Sequence, residues 1–171
     1  LFLMNGYLVR SELFNNHQIL GNPFAQVGRY NDWNVDELIY IDITREGSYE
    51  NRSDLGDVQN ARTYEQIIKE VSKKCFMPLA FGGGIKTLED ARRRFELGSD
   101  KVTVNSEAVR NPDFINQLGS EFGSQAIIIS IDSKRVSRNK NKVFIEWGNR
   151  ETSLETEKWA YEAQERGAGE I

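Results

Sequence analysis

The sequence predicts an α/β protein built on a parallel sheet covered on both faces, and three observations lead there. Short apolar runs recur along the chain, each followed by a turn-rich stretch and then a helical pattern, the order expected of successive βα units. The run Ala126-Ile-Ile-Ile-Ser-Ile131 is apolar without alternation apart from Ser130, as a strand buried on both sides requires. The intervening helices carry start and stop signals at matching places. A barrel and a doubly wound sheet both satisfy this pattern.

In chain order, the strand candidates are Leu1 to Leu3 with Tyr7 to Val9, then Leu38 to Ile43, Leu79 to Phe81, Val102 to Val104, and Ala126 to Ile131. Between the second and third, Thr63 and Gln66 have capping-box spacing, and Tyr64, Ile67, Ile68 and Val71 fall at i, i+3, i+4 and i+7, one apolar stripe. Asn111 followed by Pro112 reads as an N-cap with proline at the first helical position. Gly98 and Gly167 stand where helices following Thr87 and Thr156 should stop. Two insertions break the regularity. Arg45 to Asn60 reads as a polar, mobile loop, and Val136 to Thr152, with its alternating Val143-Phe-Ile-Glu-Trp147, reads as a small hairpin. Both would follow barrel strands, where functional loops are carried.

Length and composition narrow the class. At 171 residues and 39% hydrophobic, the chain suits one domain spanning 1–171. The formal net charge of −4 comes from 26 acidic and 22 basic residues interspersed along the chain, which argues against a nucleic-acid surface. Cys75 is the only cysteine, so no intrachain disulfide forms, and a reducing, cytoplasmic setting is expected. No apolar run approaches the roughly 18–20 residues of a membrane span. No signal-peptide pattern opens the sequence.

Pro78-Leu-Ala-Phe-Gly-Gly-Gly-Ile85 is the strongest local signal: three glycines after an apolar strand and before a helix. Lacking Cβ atoms, Gly82, Gly83 and Gly84 suit either a phosphate cradle of backbone N–H groups or a tight βα turn. The pattern is neither a P-loop nor a dinucleotide fingerprint. Asn105-Ser106 closes the next strand and in a barrel would share the same rim, as a phosphate contact or as a helix cap. Asp42 and Asp132 are acids at the ends of otherwise apolar strands, where burial raises a carboxyl pKa toward values useful in acid/base work; structural carboxylates also occur there, bonded to backbone or to a lysine such as Lys134. His17, the sole histidine, reads as a solvated loop residue, Cys75 as a buried inert thiol, and Arg92 to Arg94 as a solvent-facing run. No metal site or other cofactor has its ligands in this pattern.

With these residues assembled, the chain resembles the cyclase subunit family of imidazole glycerol phosphate synthase. The segments that carry the likeness are Asn5-Gly-Tyr-Leu-Val-Arg10, Asp36-Glu-Leu-Ile-Tyr-Ile-Asp-Ile-Thr44, Met77-Pro-Leu-Ala-Phe-Gly-Gly-Gly-Ile85, Asp100-Lys-Val-Thr-Val-Asn-Ser106, Phe122-Gly-Ser-Gln-Ala-Ile-Ile-Ile-Ser-Ile-Asp-Ser-Lys-Arg135 and Arg166-Gly-Ala-Gly-Glu-Ile171. The resemblance implies a (β/α)8 TIM barrel of the ribulose-phosphate-binding type. It also implies a lyase of histidine biosynthesis, in which ammonia from a glutaminase partner in a heterodimer meets a ribulosyl phosphate substrate and yields imidazole glycerol phosphate and an aminoimidazole carboxamide ribotide. On this resemblance Asp132 is a catalytic general acid/base, and Gly82, Gly83, Gly84, Asn105, Ser106 and Asp42 are substrate or phosphate contacts. Glu37, Lys101 and Glu170 match an ammonia gate at the opposite end of the barrel, and Asp100 matches a contact to the glutaminase.

Two departures stand out. Counting back from Asn5-Gly6, the family's first catalytic aspartate falls at Phe2, which cannot transfer a proton. A similar barrel subfamily, paired with enzymes that amidate surface-polysaccharide sugars, also lacks that aspartate, and there the barrel would route ammonia to a sugar acceptor. A complete barrel needs about 250 residues. The resemblance therefore implies about strands 1 to 5 and the start of strand 6.

Overall fold

Asn5 and Gly6 both adopt left-handed backbone angles, φ 50° and 77°, and fold β1 (Phe2–Met4) back on β2 (Tyr7–Glu12) in register Leu3 to Leu8. Asn-Gly is the dipeptide that a two-residue hairpin of matching twist favours. The structure is a computed structural model that describes residues 1–12, 16–45 and 63–171. Residues 46–60 of the first expected insertion lie outside the described residues.

Two compact units make up the described chain, the first comprising Leu1–Gly84 with Arg92–Asp100, the second Ile85–Ala91 with Lys101–Ile171. In the first, β3 (Asn16–Gly21) pairs antiparallel with β2, while β4 (Leu38–Asp42) runs parallel to β1 and β5 (Leu79–Gly82) parallel to β4. Helix α1 (Pro23–Asp32) begins with Asn22 accepting from the Phe24 N–H and with Pro23 at its first position; neither α1 nor β3 was anticipated from the sequence.

Helix α2 (Tyr64–Ser72) follows the expected pattern closely. The Thr63 hydroxyl accepts from the Gln66 N–H at 3.2 Å, and the Gln66 side chain accepts from the Thr63 N–H at 3.1 Å. Its stripe Tyr64, Ile67, Ile68 and Val71 is buried against Leu3, Leu38, Tyr40, Leu79 and Phe81 in one core. Each fully buried aliphatic chain of that stripe stabilises the unit by about 1.5–3 kcal/mol. Tyr40 and Phe81 stack at 5.6 Å, and the buried Tyr40 hydroxyl donates to the Pro23 carbonyl.

Helix α3 (Leu88–Glu96) follows Thr87 and closes at Gly98, whose N–H donates to the Phe95 carbonyl. In the second unit β6 (Lys101–Val104) runs into α4 (Ser106–Arg110) and α5 (Asp113–Phe122), and β7 (Ile127–Ile129) pairs parallel with β6. Asn111 does not cap α5: it ends α4, and the cap position falls to Pro112, whose ring has no acceptor to offer a backbone N–H. The expected small hairpin is a three-stranded antiparallel sheet of β8 (Asp132–Ser137), β9 (Lys140–Ile145) and β10 (Arg150–Glu155). The polar β8 and β10 flank the apolar Val143 and Ile145, which are buried. Helix α6 (Thr156–Glu165) then leads through Gly167 to Glu170, which forms a parallel bridge with Ile128.

Candidate active site

In the first unit, β4 and β5 end side by side at Asp42 and Gly82. One Asp42 carboxylate oxygen accepts from the Thr44 N–H at 3.0 Å and from the Thr44 hydroxyl at 2.6 Å, and that hydroxyl accepts in turn from the Asn5 N–H. The carboxylate thus shapes the end of its own strand. Gly83 has φ +100°, and a Cβ there would lie 2.3 Å from the Asp42 carbonyl oxygen. Gly84, at φ +69°, has nothing within 4 Å of where a Cβ would stand. The two glycines therefore serve different ends: one permits strand contact, and the other leaves space for a group to approach the backbone. The buried Tyr64 donates its hydroxyl to the Gly82 carbonyl at 2.6 Å.

In the second unit, Asn105 and Ser106 follow β6, and Asp132 follows β7. Burial pushes the Asp132 carboxyl above its ordinary range, while a hydrogen bond from the Asn105 side chain and the nearby charge of Lys134 act the other way. Such a carboxyl keeps a protonated fraction to higher pH and can both give and take a proton. Lys134, itself on β8, donates to the Gly148 carbonyl and lies 4.7 Å from the Phe144 ring centre, so its side chain is engaged within the inserted sheet. The Ser106 hydroxyl accepts from the Glu146 N–H at 3.2 Å, and Arg110 pairs with Glu146 at 2.6 Å. Asn105 places a buried side-chain oxygen here without a hydrogen-bond partner.

In the second unit, Lys101 at the start of β6 forms an ion pair with Glu170, with the lysine side chain 19% exposed. Glu37 immediately precedes β4 and is partly buried. Asp100 accepts from the Leu79 N–H at 2.9 Å through its carboxylate, and its own N–H donates to the Leu79 carbonyl at 2.8 Å. Phe2 lies on β1, opposite Ile41 on one side and Val9 on the other.

His17 is not in a loop but on β3, opposite Ser11. The Arg92 to Arg94 run is not uniformly solvent-facing: Arg93 pairs with Glu65, and the Arg94 guanidinium lies 4.8 Å from the Tyr64 ring centre. Cys75 is half-buried rather than buried, because it follows the end of α2 at the edge of the core, and its thiol, pushed up by burial, donates to the Met77 carbonyl at 3.3 Å. Among the described residues, no group of three or more His, Cys, Asp or Glu side chains is arranged to hold a metal ion, and no helix is long and apolar enough to cross a membrane. Sequence reasoning missed Tyr64, Thr44 and Glu146 at these strand ends. Only the Asp-x-Thr spacing of Asp42 and Thr44 carried a local signal.

A family model described as "Histidine biosynthesis protein" matches residues 1–171. Similar curated proteins are named imidazole glycerol phosphate synthase subunit HisF. That of Dictyoglomus turgidum is 39% identical over 164 residues, 96% of this chain and 61% of the relative. That of Alkaliphilus metalliredigens is 39% identical over 166 residues, 97% and 62% respectively. That of Helicobacter hepaticus is 37% identical over 166 residues, with the same coverage. The chain spans about three-fifths of the length of the curated relatives it matches.

Proposed function

We propose, because this chain belongs to the histidine biosynthesis protein family, that it forms part of a (β/α)8 ribulose-phosphate-binding barrel acting as the cyclase subunit of an imidazole glycerol phosphate synthase. A glutaminase subunit supplies ammonia, and the barrel uses it to cleave and cyclise a ribulosyl phosphate. Gly82, Gly83, Gly84, Asn105, Ser106 and Asp42 hold or shape the phosphate-binding segments. Lys101, Glu170 and Glu37 line the ammonia gate, and Asp100 meets the glutaminase.

The observation that carries this reading is Asp132. A carboxyl at a strand end, partly withdrawn from water with the Asn105 amide and the Lys134 charge nearby, has the chemistry of a general acid/base: protonated, it donates to the departing nitrogen, and ionised, it removes a proton as the ring closes. Lys134 keeps a positive charge near the ionised form.

One observation favours a second reading, in which the barrel passes ammonia to a sugar acceptor. Phe2 stands where the resemblance expects a second acid, so only one of two proton-transfer groups is present. Turnover of the ribulosyl phosphate with an ammonium salt separates the two. The cyclase reading expects turnover that falls by about 10²–10⁴ in Asp132→Asn. No turnover, in a protein that still stimulates glutamine hydrolysis by its partner, favours the second reading.

A further inference from the structure

We infer that Tyr64 is a positioning residue for the glycine loop, fixing the direction in which the Gly83 N–H points and so tuning that loop's affinity for a phosphate group. The inference rests on the reading of Gly82 to Gly84 as an anion seat and assigns a role to a residue that contributes no atom to it.

The argument starts from the peptide unit. The Gly82 carbonyl and the Gly83 N–H belong to one planar, trans peptide, so the two bonds point in opposite directions. Tyr64 donates its hydroxyl to that carbonyl at 2.6 Å. The donor is itself held: Tyr64 is 7% exposed, opens α2 next to the Thr63 cap, and meets the Phe81 ring edge-on at 5.9 Å and 78°. Fixing the carbonyl toward Tyr64 fixes the Gly83 N–H away from it. The hydrogen bond also polarises the peptide, which makes its N–H a better donor to an anion.

Two further contacts limit the alternatives open to this peptide. On its other side Gly83 lies against the Asp42 backbone, so closely that a Cβ would overlap it. The Arg94 guanidinium sits 4.8 Å from the Tyr64 ring centre, and its Nε is buried without a hydrogen bond. A cation on the ring face draws electron density from the phenol and strengthens its O–H as a donor. Charge thus acts on the loop through the ring, the hydroxyl and the peptide in sequence. A glycine peptide without this restraint would sample both orientations, and one of them presents a carbonyl oxygen, which repels phosphate.

The test uses Tyr64→Phe, which keeps the ring, its edge contact and the Arg94 stack, and removes only the hydroxyl. Inorganic phosphate is titrated while the amide resonances of Gly83 and Gly84 are followed by NMR, at a temperature where melting curves show both proteins folded. In the parent protein these amides shift on saturation. In Tyr64→Phe the midpoint moves about three- to tenfold higher, the scale of one lost hydrogen bond. In turnover, KM for the phosphorylated substrate rises by a similar factor, with kcat within about twofold. An unchanged midpoint and KM, alongside a lowered melting temperature, would mean that Tyr64 only stabilises the fold and would overturn the inference. Gly84→Ala examines the underlying reading, since it adds a methyl group into open space beside the backbone. If the Gly83 and Gly84 amides ignore phosphate in the parent, or Gly84→Ala binds it equally well, the loop is not the anion's seat and the role of Tyr64 falls with it.

Discussion

The Glu146 N–H donates to the Ser106 hydroxyl at 3.2 Å, joining residues forty positions apart. Glu146 and Trp147 both have left-handed backbone angles, φ 55° and 58°, which cost a residue with a side chain about 1–2 kcal/mol each. Arg110, which bonds the Glu146 carboxylate, and Lys134, which bonds the Gly148 carbonyl, hold the same turn. The inserted sheet is therefore tied to the segment proposed to bind phosphate. Ser106→Ala is expected to speed hydrogen exchange at the Glu146 amide by about tenfold while lowering global stability by under about 1 kcal/mol. Unchanged exchange at that amide would show that the hydroxyl does not hold the turn.

What the sequence made legible was set by local periodicity. The Thr63 cap and the Tyr64, Ile67, Ile68 and Val71 stripe were readable because cap spacing and a 3.6-residue period are both written within nine residues. The parallel pairing of β4 with β5 agrees with the recurring order of apolar run, turn-rich stretch and helical pattern. β3 was missed because His17, Gln18, Ile19 and Leu20 follow neither period, and four of its six residues are exposed. Asp132 was readable as a candidate acid at the end of the Ala126 to Ile131 run, but its place as the first residue of β8, opposite Phe144, was not, because the apolar run carries no sign that the strand stops at Ile129. The engagement of Ser106 with Glu146 was not readable, because nothing in either segment specifies the other. In the sequence Tyr64 is legible only as an apolar member of its stripe, since the bond from its hydroxyl to Gly82 depends on how α2 packs on β5.

Gly83→Ala tests the packing of the glycine loop on β4. The added methyl group would sit 2.3 Å from the Asp42 carbonyl oxygen and 2.8 Å from the Asp42 nitrogen, at a φ of +100°. Backbone cannot yield as a flexible side chain does, so the substitution is expected to destabilise by on the order of 3 kcal/mol in denaturant unfolding. Gly84→Ala meets no such contact and should cost about 1 kcal/mol, from its backbone angle alone. Equal losses at the two positions would contradict the close approach of Gly83 to Asp42.

Lys101→Met removes the cation paired with Glu170. The glutamate side chain is 41% exposed, so solvent screens much of the loss, and stability should fall by only about 0.5–1 kcal/mol. If the pair belongs to an ammonia gate, turnover driven by glutamine and the partner subunit falls severalfold more than turnover driven by added ammonium. Equal reductions in the two assays would leave the pair with a structural role alone.

Asp132→Asn separates the carboxyl's effect on stability from its effect on chemistry. Burial raises the pKa of Asp132 in the folded chain, so the folded state holds its proton more tightly than the unfolded state does. Stability therefore falls as pH rises from the ordinary aspartate value through the raised one, and above that the full cost of a partly desolvated charge is present. Asparagine cannot ionise. The variant is thus expected to melt higher than the parent at neutral pH, with the difference shrinking as pH drops toward and below the ordinary aspartate value. Turnover moves the opposite way, falling in the variant because no group at this strand end can exchange a proton. Paired melting curves at neutral pH and near pH 3, a value about one unit below the ordinary aspartate pKa, decide it. A variant less stable than the parent at neutral pH would mean that the Asn105 and Lys134 interactions outweigh desolvation, and that Asp132 is held as a structural anion rather than as an acid poised for proton transfer.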